Sequence, residues 1–217
     1  MKFAVIGLGS FGFNVAKTLF EKGAEVMALD KNKERLKDLQ GFASHAVSMD
    51  AAVKENLEAL GIQDMDVVVV SLGHDMEASI LTVLYLAELG VERIIAKALT
   101  EDHAKILEAV GATEIIFPEK DMAVRTALKL NNPNILEYLP LGPNIGIQEI
   151  APSEKFIGKS LKELDIRRRY GVQIIAVREL IPEETTFVPG ADFVIKDSDV
   201  LVIMGDDKSL AKFSANK

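Results

Sequence analysis

Gly7-Leu8-Gly9-Ser10-Phe11-Gly12 follows an apolar run, Lys2 to Ile6, and opens an amphipathic segment from Ser10 to Lys22. In that setting each glycine has a use. Gly7 permits a tight turn, Gly9 lets the backbone approach a pyrophosphate, and Gly12 allows a helix to pack closely on a strand. The helix start adds free N–H groups and a positive dipole end. Asp30 stands 18 residues after Gly12, at the tip of a second β-like run, Glu25 to Leu29. There a carboxylate can accept hydrogen bonds from both ribose hydroxyls of an adenosine. Strand, glycine loop, helix and acid together predict a nucleotide site. A 2′-phosphate would meet like charge at Asp30, which disfavours NADP. NAD, ATP, ADP and AMP share the adenosine and α-phosphate, and these residues do not separate them.

Groups that would turn a bound nucleotide over are missing. The chain has no cysteine, which excludes thiolate nucleophiles, thiolate metal sites and disulfides. Its histidines, His45, His74 and His103, are spaced 29 residues apart, so no two share a helix face as zinc ligands. Hydride transfer by a Tyr with Lys four residues on is not available, because Leu89, Gly142 and Ile174 occupy those places after Tyr85, Tyr138 and Tyr170. His74 is the one candidate acid, and a ligand-contacting or capping role suits it better. A nucleotide site without acid–base apparatus predicts sensing and no enzyme activity.

The site needs a frame. Strands are expected at Lys2 to Ile6, Glu25 to Leu29, Ala43 to Val47, Asp66 to Ser71, Arg93 to Lys97 and Glu114 to Phe117. Helices are expected between them at Ser10 to Lys22, Lys31 to Leu39, Ala51 to Leu60, Met76 to Leu89 and Glu101 to Val110, with another at Asp121 to Leu130. Gly23, Gly41, Gly61, Gly90 and Gly111 fall where left-handed helix C-caps belong. Strict βα alternation forces a parallel sheet with helices on both faces, the α/β, doubly wound, Rossmann-like class, over residues 1–133. Four prolines between Pro133 and Pro152 break the pattern and read as a hinge. Residues 134–217 read as a small α+β domain with strands at Ile145 to Ile150, Val172 to Val177, Phe193 to Ile195 and Val200 to Met204. Short helices are expected there near Ser160 to Leu164 and Lys208 to Phe213. The helices Met76 to Leu89 and Asp121 to Leu130 carry more apolar surface than one core-facing stripe uses, which leaves core or subunit contact open.

Among 217 residues, 25 basic and 33 acidic side chains give a formal charge of −8. The acids are spread along the chain and no face gathers positive charge, which argues against nucleic acid as a partner. Gly7, Gly9, Ser10 and Gly12 interrupt the only N-terminal stretch that resembles a signal peptide. Ala78 to Ala87, the longest uncharged apolar stretch elsewhere, is about half the roughly 20 residues needed to cross a bilayer. A cytoplasmic location is expected.

The chain resembles the regulatory subunits of Trk/Ktr bacterial potassium-uptake systems, which are built from a pair of regulator-of-potassium-conductance domains. The likeness runs through Ala4-Val5-Ile6-Gly7-Leu8-Gly9, Phe11-Gly12, Asp30, Asp50-Ala51, Leu60-Gly61-Ile62, Asp66-Val67-Val68-Val69 and Ile116-Phe117-Pro118-Glu119-Lys120-Asp121-Met122. In the tail it continues with Ile157-Gly158-Lys159-Ser160-Leu161, Ile166-Arg167-Arg168-Arg169-Tyr170-Gly171, Pro189-Gly190 and Asp199-Val200-Leu201-Val202-Ile203-Met204-Gly205. The first half would be shared by many dinucleotide-binding proteins, and the Pro-Glu-Lys-Asp-Met segment with the tail makes the likeness specific.

The resemblance implies a sensor of ATP, ADP or NAD(H) that forms dimers and an octameric ring beneath a membrane potassium-channel subunit, held at the inner face of the membrane. It gives Gly7, Gly9, Ser10, Phe11 and Gly12 to the phosphate loop and Asp30, with Lys31 beside it, to the ribose. Asp50 and Ala51 go to the adenine wall, Gly73 and His74 to the neighbouring loop, and Lys97 to its vicinity. Glu119 goes to the phosphates at a dimer interface, where Mg²⁺ or Ca²⁺ would join it. Ser10 departs from the Arg that Ktr-like members often carry, so discrimination of a γ-phosphate is weakened in favour of ADP or NAD(H). The tail resembles a domain that binds cyclic di-AMP in some members, with Ile166 and Arg167 at the matching positions, although Arg167 to Arg169 reads equally as a solvated basic turn. Two rivals stand beside this reading. One is an NAD-dependent oxidoreductase. The other is an NAD(H)-sensing transcriptional regulator, for which no basic recognition helix is visible.

Overall fold

A computed structural model describes residues 1–39, 41–73, 75–181 and 183–215. The chain divides into two compact units, Met1–Pro118 and Glu119–Lys217. That division falls earlier than the Pro133 boundary expected from sequence. The reason lies in helix α6 (Pro118–Asn131), which has no buried residue and whose Leu128 packs on the core of the second unit.

The first unit alternates β1 (Lys2–Ile6), α1 (Ser10–Glu21), β2 (Glu25–Asp30), α2 (Lys33–Asp38), β3 (His45–Ser48), α3 (Lys54–Ala59), β4 (Val67–Val70), α4 (Met76–Glu88), β5 (Ile94–Lys97), α5 (Glu101–Ala109) and β6 (Glu114–Ile116). Its sheet order is β3-β2-β1-β4-β5-β6, all parallel. The four valines of β4 are all buried, as a strand covered on both faces requires. Strand order reverses between β1 and β4, and in an open α/β sheet a ligand crevice forms there, beyond the strands' carboxyl ends. The five expected C-cap glycines all have positive φ, from +64° to +116°. Helix α4 turns Val83 and Leu86 into the core, with Ile80 and Tyr85 partly buried beside them, and leaves Met76 exposed.

In the second unit, β7 (Ile135–Gly142), β8 (Ile145–Ile150), β9 (Gln173–Leu180), β10 (Glu183–Phe187) and β11 (Asp199–Asp206) form an antiparallel sheet ordered β10-β9-β11-β8-β7. Helices α7 (Leu161–Leu164), α8 (Ile166–Tyr170) and α9 (Asp207–Ser214) accompany it. Phe156, Tyr170 and Phe213 meet in its core with ring centroids 5.3 to 5.9 Å apart.

Here the structure corrects the sequence reading at two places. The proline-rich segment is a β-hairpin, β7 and β8, rather than a hinge. Pro140 is tolerated because β7 lies on the sheet edge, and two register shifts break its alternation. Phe193 to Ile195 forms no strand. Val194 makes one isolated bridge to Ser160, and the segment otherwise binds the 156–162 loop through Phe193 and Ile195.

Candidate nucleotide-binding site

The crevice at the β1/β4 switch point begins with backbone that only glycine can supply. Gly7 has φ +88°, and a Cβ there would lie 2.7 Å from the Ser71 carbonyl oxygen. A Cβ on Gly12 would lie 1.9 Å from the Gly7 carbonyl oxygen, so α1 could not seat against the loop. Gly9 is different. A Cβ on it would meet nothing within 4 Å, which leaves its backbone open to a ligand. Gly9 is the N-cap of α1, no side chain caps that helix, and its first turn holds no acid. Its leading N–H groups are therefore placed for an anion.

Asp30 ends β2 and is 4% exposed. Its Oδ2 accepts from the Leu8 N–H at 2.7 Å and from the Arg35 guanidinium at 3.2 Å, and its Oδ1 accepts from the Asn32 N–H at 2.7 Å. The carboxylate thereby pins the glycine loop to β2. It also lines a cavity of about 230 Å³ together with Gly7, Gly9, Lys31, Asp50 and Ala51. Asp50 shapes the facing wall, its Oδ1 accepting from the Ala52 N–H at 2.9 Å. Ile6, Leu29, Met49 and Leu72 supply apolar lining suited to an adenine ring.

Six of the residues expected from sequence thus meet around one cavity. Ser10 lines an adjoining one of about 270 Å³, and Phe11 packs on the core between α1 and β2. Gly73 is buried against Leu99 and Lys97: a Cβ on it would lie 3.3 Å from Lys97 Cε. Lys97 itself is 7% exposed and does not line the cavity. His74 lies outside the described residues. Glu119 belongs to the second unit, on the first turn of α6. Among the described residues no group of three or more His, Asp or Glu side chains is placed to hold a metal ion. Ile166 is 5% exposed, and it lines a cleft of about 210 Å³ in the second unit with Arg167.

The structure adds two charged residues that the sequence reading did not name. Asp75 caps α4, its Oδ1 accepting from the Ala78 N–H at 3.1 Å, while its Oδ2 pairs with Lys31 Nζ at 3.2 Å. The Ala78 hydrogen bond, then Lys31, holds the Asp75 carboxyl below its ordinary value. Arg35, from the first turn of α2, lines both cavities. Asp75 could have been found as an N-cap before an apolar helical run, and Arg35 as a cation one turn into the helix that follows the ribose acid.

A parallel sheet with a glycine loop at its switch point and a buried acid at the end of β2 defines the nucleotide-binding fold of the Rossmann class. The TrkA-N domain family matches residues 3–118, and the TrkA-C domain family matches residues 148–217. This chain belongs to the TrkA-N/TrkA-C family. It is 40% identical to the Ktr system potassium uptake protein C of Bacillus subtilis over 98% of this chain and 95% of that protein. It is 34% identical to the Ktr system potassium uptake protein A of Vibrio alginolyticus, over 97% and 94%. Both relatives are potassium uptake proteins. Among solved structures, the GsuK channel bound to NAD shares the fold with a TM-score of 0.65 at 19% identity, over 99% of this chain and 39% of that one. Among the described residues, no helix is long and apolar enough to cross a membrane.

Proposed function

We propose that this chain is a ligand-gated regulatory subunit of a membrane potassium-uptake channel, and that adenine nucleotide or NAD(H) in the first unit is its signal. The observation that carries the reading is the crevice itself. Its Asp30 carboxylate suits a ribose, its Gly9 backbone and α1 N-terminus suit phosphates, and the described residues that line it include no His or Tyr to act as a dehydrogenase's acid–base group. Family membership supplies the transport context, and a GsuK channel of the same fold was solved with NAD. On this reading the protein works in the cytoplasm, as a dimer that builds an octameric ring against the channel subunit. A nucleotide can gate only if it binds two ring shapes with different affinity.

Asp30 would hold the ribose hydroxyls, Gly7 and Gly12 would keep the loop closed around the phosphates, and Asp50 and Ala51 would flank the adenine. The test is calorimetry with NAD, ADP and ATP. Binding of at least one, weakened for all by Asp30→Ala, supports the reading, and absence of binding by the wild type rejects it. A second ligand belongs to the tail cleft, where Ile166 gives an apolar floor and Arg167 an exposed cation for a cyclic dinucleotide phosphate. Titration with cyclic di-AMP against wild type and Arg167→Ala tests it, and equal heats from both would remove Arg167 from the site.

A further inference from the structure

We propose that Arg35 is the residue that reads the phosphates of the bound nucleotide, leaving its ion pair with Asp30 for a phosphate oxygen when a ribose occupies the carboxylate. This rests on the nucleotide reading of the crevice.

The cavity beside Asp30 measures about 230 Å³ and the one beside Ser10 about 270 Å³. Either alone falls short of the roughly 300 Å³ at which small-molecule sites begin, and the two together exceed it. They share two residues, Gly9 and Arg35. A ligand that fills both must pass the open Gly9 backbone and run beneath the Arg35 side chain.

The Ser10 cavity is lined by one acid, Asp38, and Ser10 and Asn14 contribute no positive charge. An anion there needs a cation, and Arg35 is the cation on its wall. Lys31 lines only the first cavity, with its Nζ 3.2 Å from the Asp75 carboxylate. The Arg35 side chain is half exposed, so it can move without opening the core. Its planar fork suits a phosphate as well as it suits a carboxylate.

A carboxylate offers about four acceptor positions. Leu8, Asn32 and Arg35 already use three on Asp30. A ribose diol presents two donors. Both are satisfied only if one partner withdraws, and Leu8 and Asn32 donate from backbone that forms the site. Arg35 is the partner free to leave. Ribose binding thus releases the guanidinium at the point where the phosphates arrive.

The experiment measures adenosine, ADP and ATP binding by calorimetry with wild type, Arg35→Gln and Arg35→Lys, folding being checked by circular dichroism. Arg35→Gln should weaken ADP and ATP by about tenfold or more while adenosine binds as well as, or better than, to wild type. Arg35→Lys should fall between. Equal losses for adenosine and ATP would make Arg35 a mere support for Asp30 and overturn the proposal, as would ADP and ATP affinities within twofold of wild type. Should Arg35→Gln fail to fold, Arg35→Lys decides: a several-fold loss for ATP with adenosine unchanged supports the proposal, and three unchanged affinities reject it. A wild type that binds none of these three ligands and no NAD overturns the nucleotide reading and this one with it.

Discussion

Asp30 shows how one side chain serves fold and ligand together. Its bonds to the Leu8 and Asn32 N–H groups set the glycine loop, so Asp30→Ala leaves two backbone donors unpaired as well as removing the ribose acceptor. NAD, ADP and ATP binding should weaken together by about 1–3 kcal/mol in calorimetry. Gly12→Ala acts through sterics alone. Its Cβ meets backbone at 1.9 Å, so denaturant unfolding should show a loss of about 1–3 kcal/mol, with nucleotide binding reduced in parallel. His103 makes a prediction of a different kind. It is 1% exposed, its Nδ1 accepts from the Leu99 N–H at 3.4 Å, and burial pushes its pKa below the ordinary 6.5. Between the lowered folded value and 6.5 the unfolded chain binds the extra proton and the folded chain does not. Stability from this group is therefore full above about pH 6.5 and declines as pH falls through that window. Thermal midpoints recorded across it should drop for the wild type and drop less for His103→Gln.

At the scale of elements, legibility followed burial on both faces. The strands of the first unit were readable because β1 carries a buried apolar run from Ala4 to Ile6, β4 is buried throughout, and each helix end in that unit is followed by a glycine in the left-handed region. The glycine loop and Asp30 were readable for the same reason: their spacing is fixed by one strand–helix–strand turn. Arg35 was not, since a cation on a short solvent-facing helix looks like any other surface charge. In the tail, β7 and β10 were missed because Pro140 and two register shifts interrupt the first and charged and hydroxyl residues fill most of the second. β10 reads Glu-Glu-Thr-Thr-Phe, with the charged residues an edge tolerates, and β7 loses its alternation at two register shifts. Helix α8 is five residues held between Asp165 at φ +44° and Gly171 at φ +76°, too short for periodicity to register. The hairpin of β7 and β8 also rests on a contact no pattern announces. A Cβ on Gly146 would lie 2.6 Å from the ring of Tyr138, whose hydroxyl donates to Asp207 Oδ1 at 3.1 Å. Gly146→Ala should therefore destabilise the chain by about 1–3 kcal/mol in denaturant unfolding, with nucleotide binding by the first unit retained.

For the whole molecule, the proposed function requires oligomer shape to carry the signal from the nucleotide crevice in one unit to potassium transport. Helix α6 leaves Met122, Val124 and Leu130 exposed by 59%, 49% and 79%, and such apolar surface gains about 25 cal/mol per Å² when another subunit covers it. Light scattering at micromolar concentration should give at least a dimer, and a monomer with nucleotide present would count against the ring. The most direct test is potassium flux through vesicles holding the cognate channel subunit and this protein, recorded with NAD, ADP and ATP in turn. Flux should differ between nucleotides with the wild type, and the difference should vanish with Asp30→Ala. Flux identical in all three nucleotides and in their absence, from an assembled complex, would contradict the account.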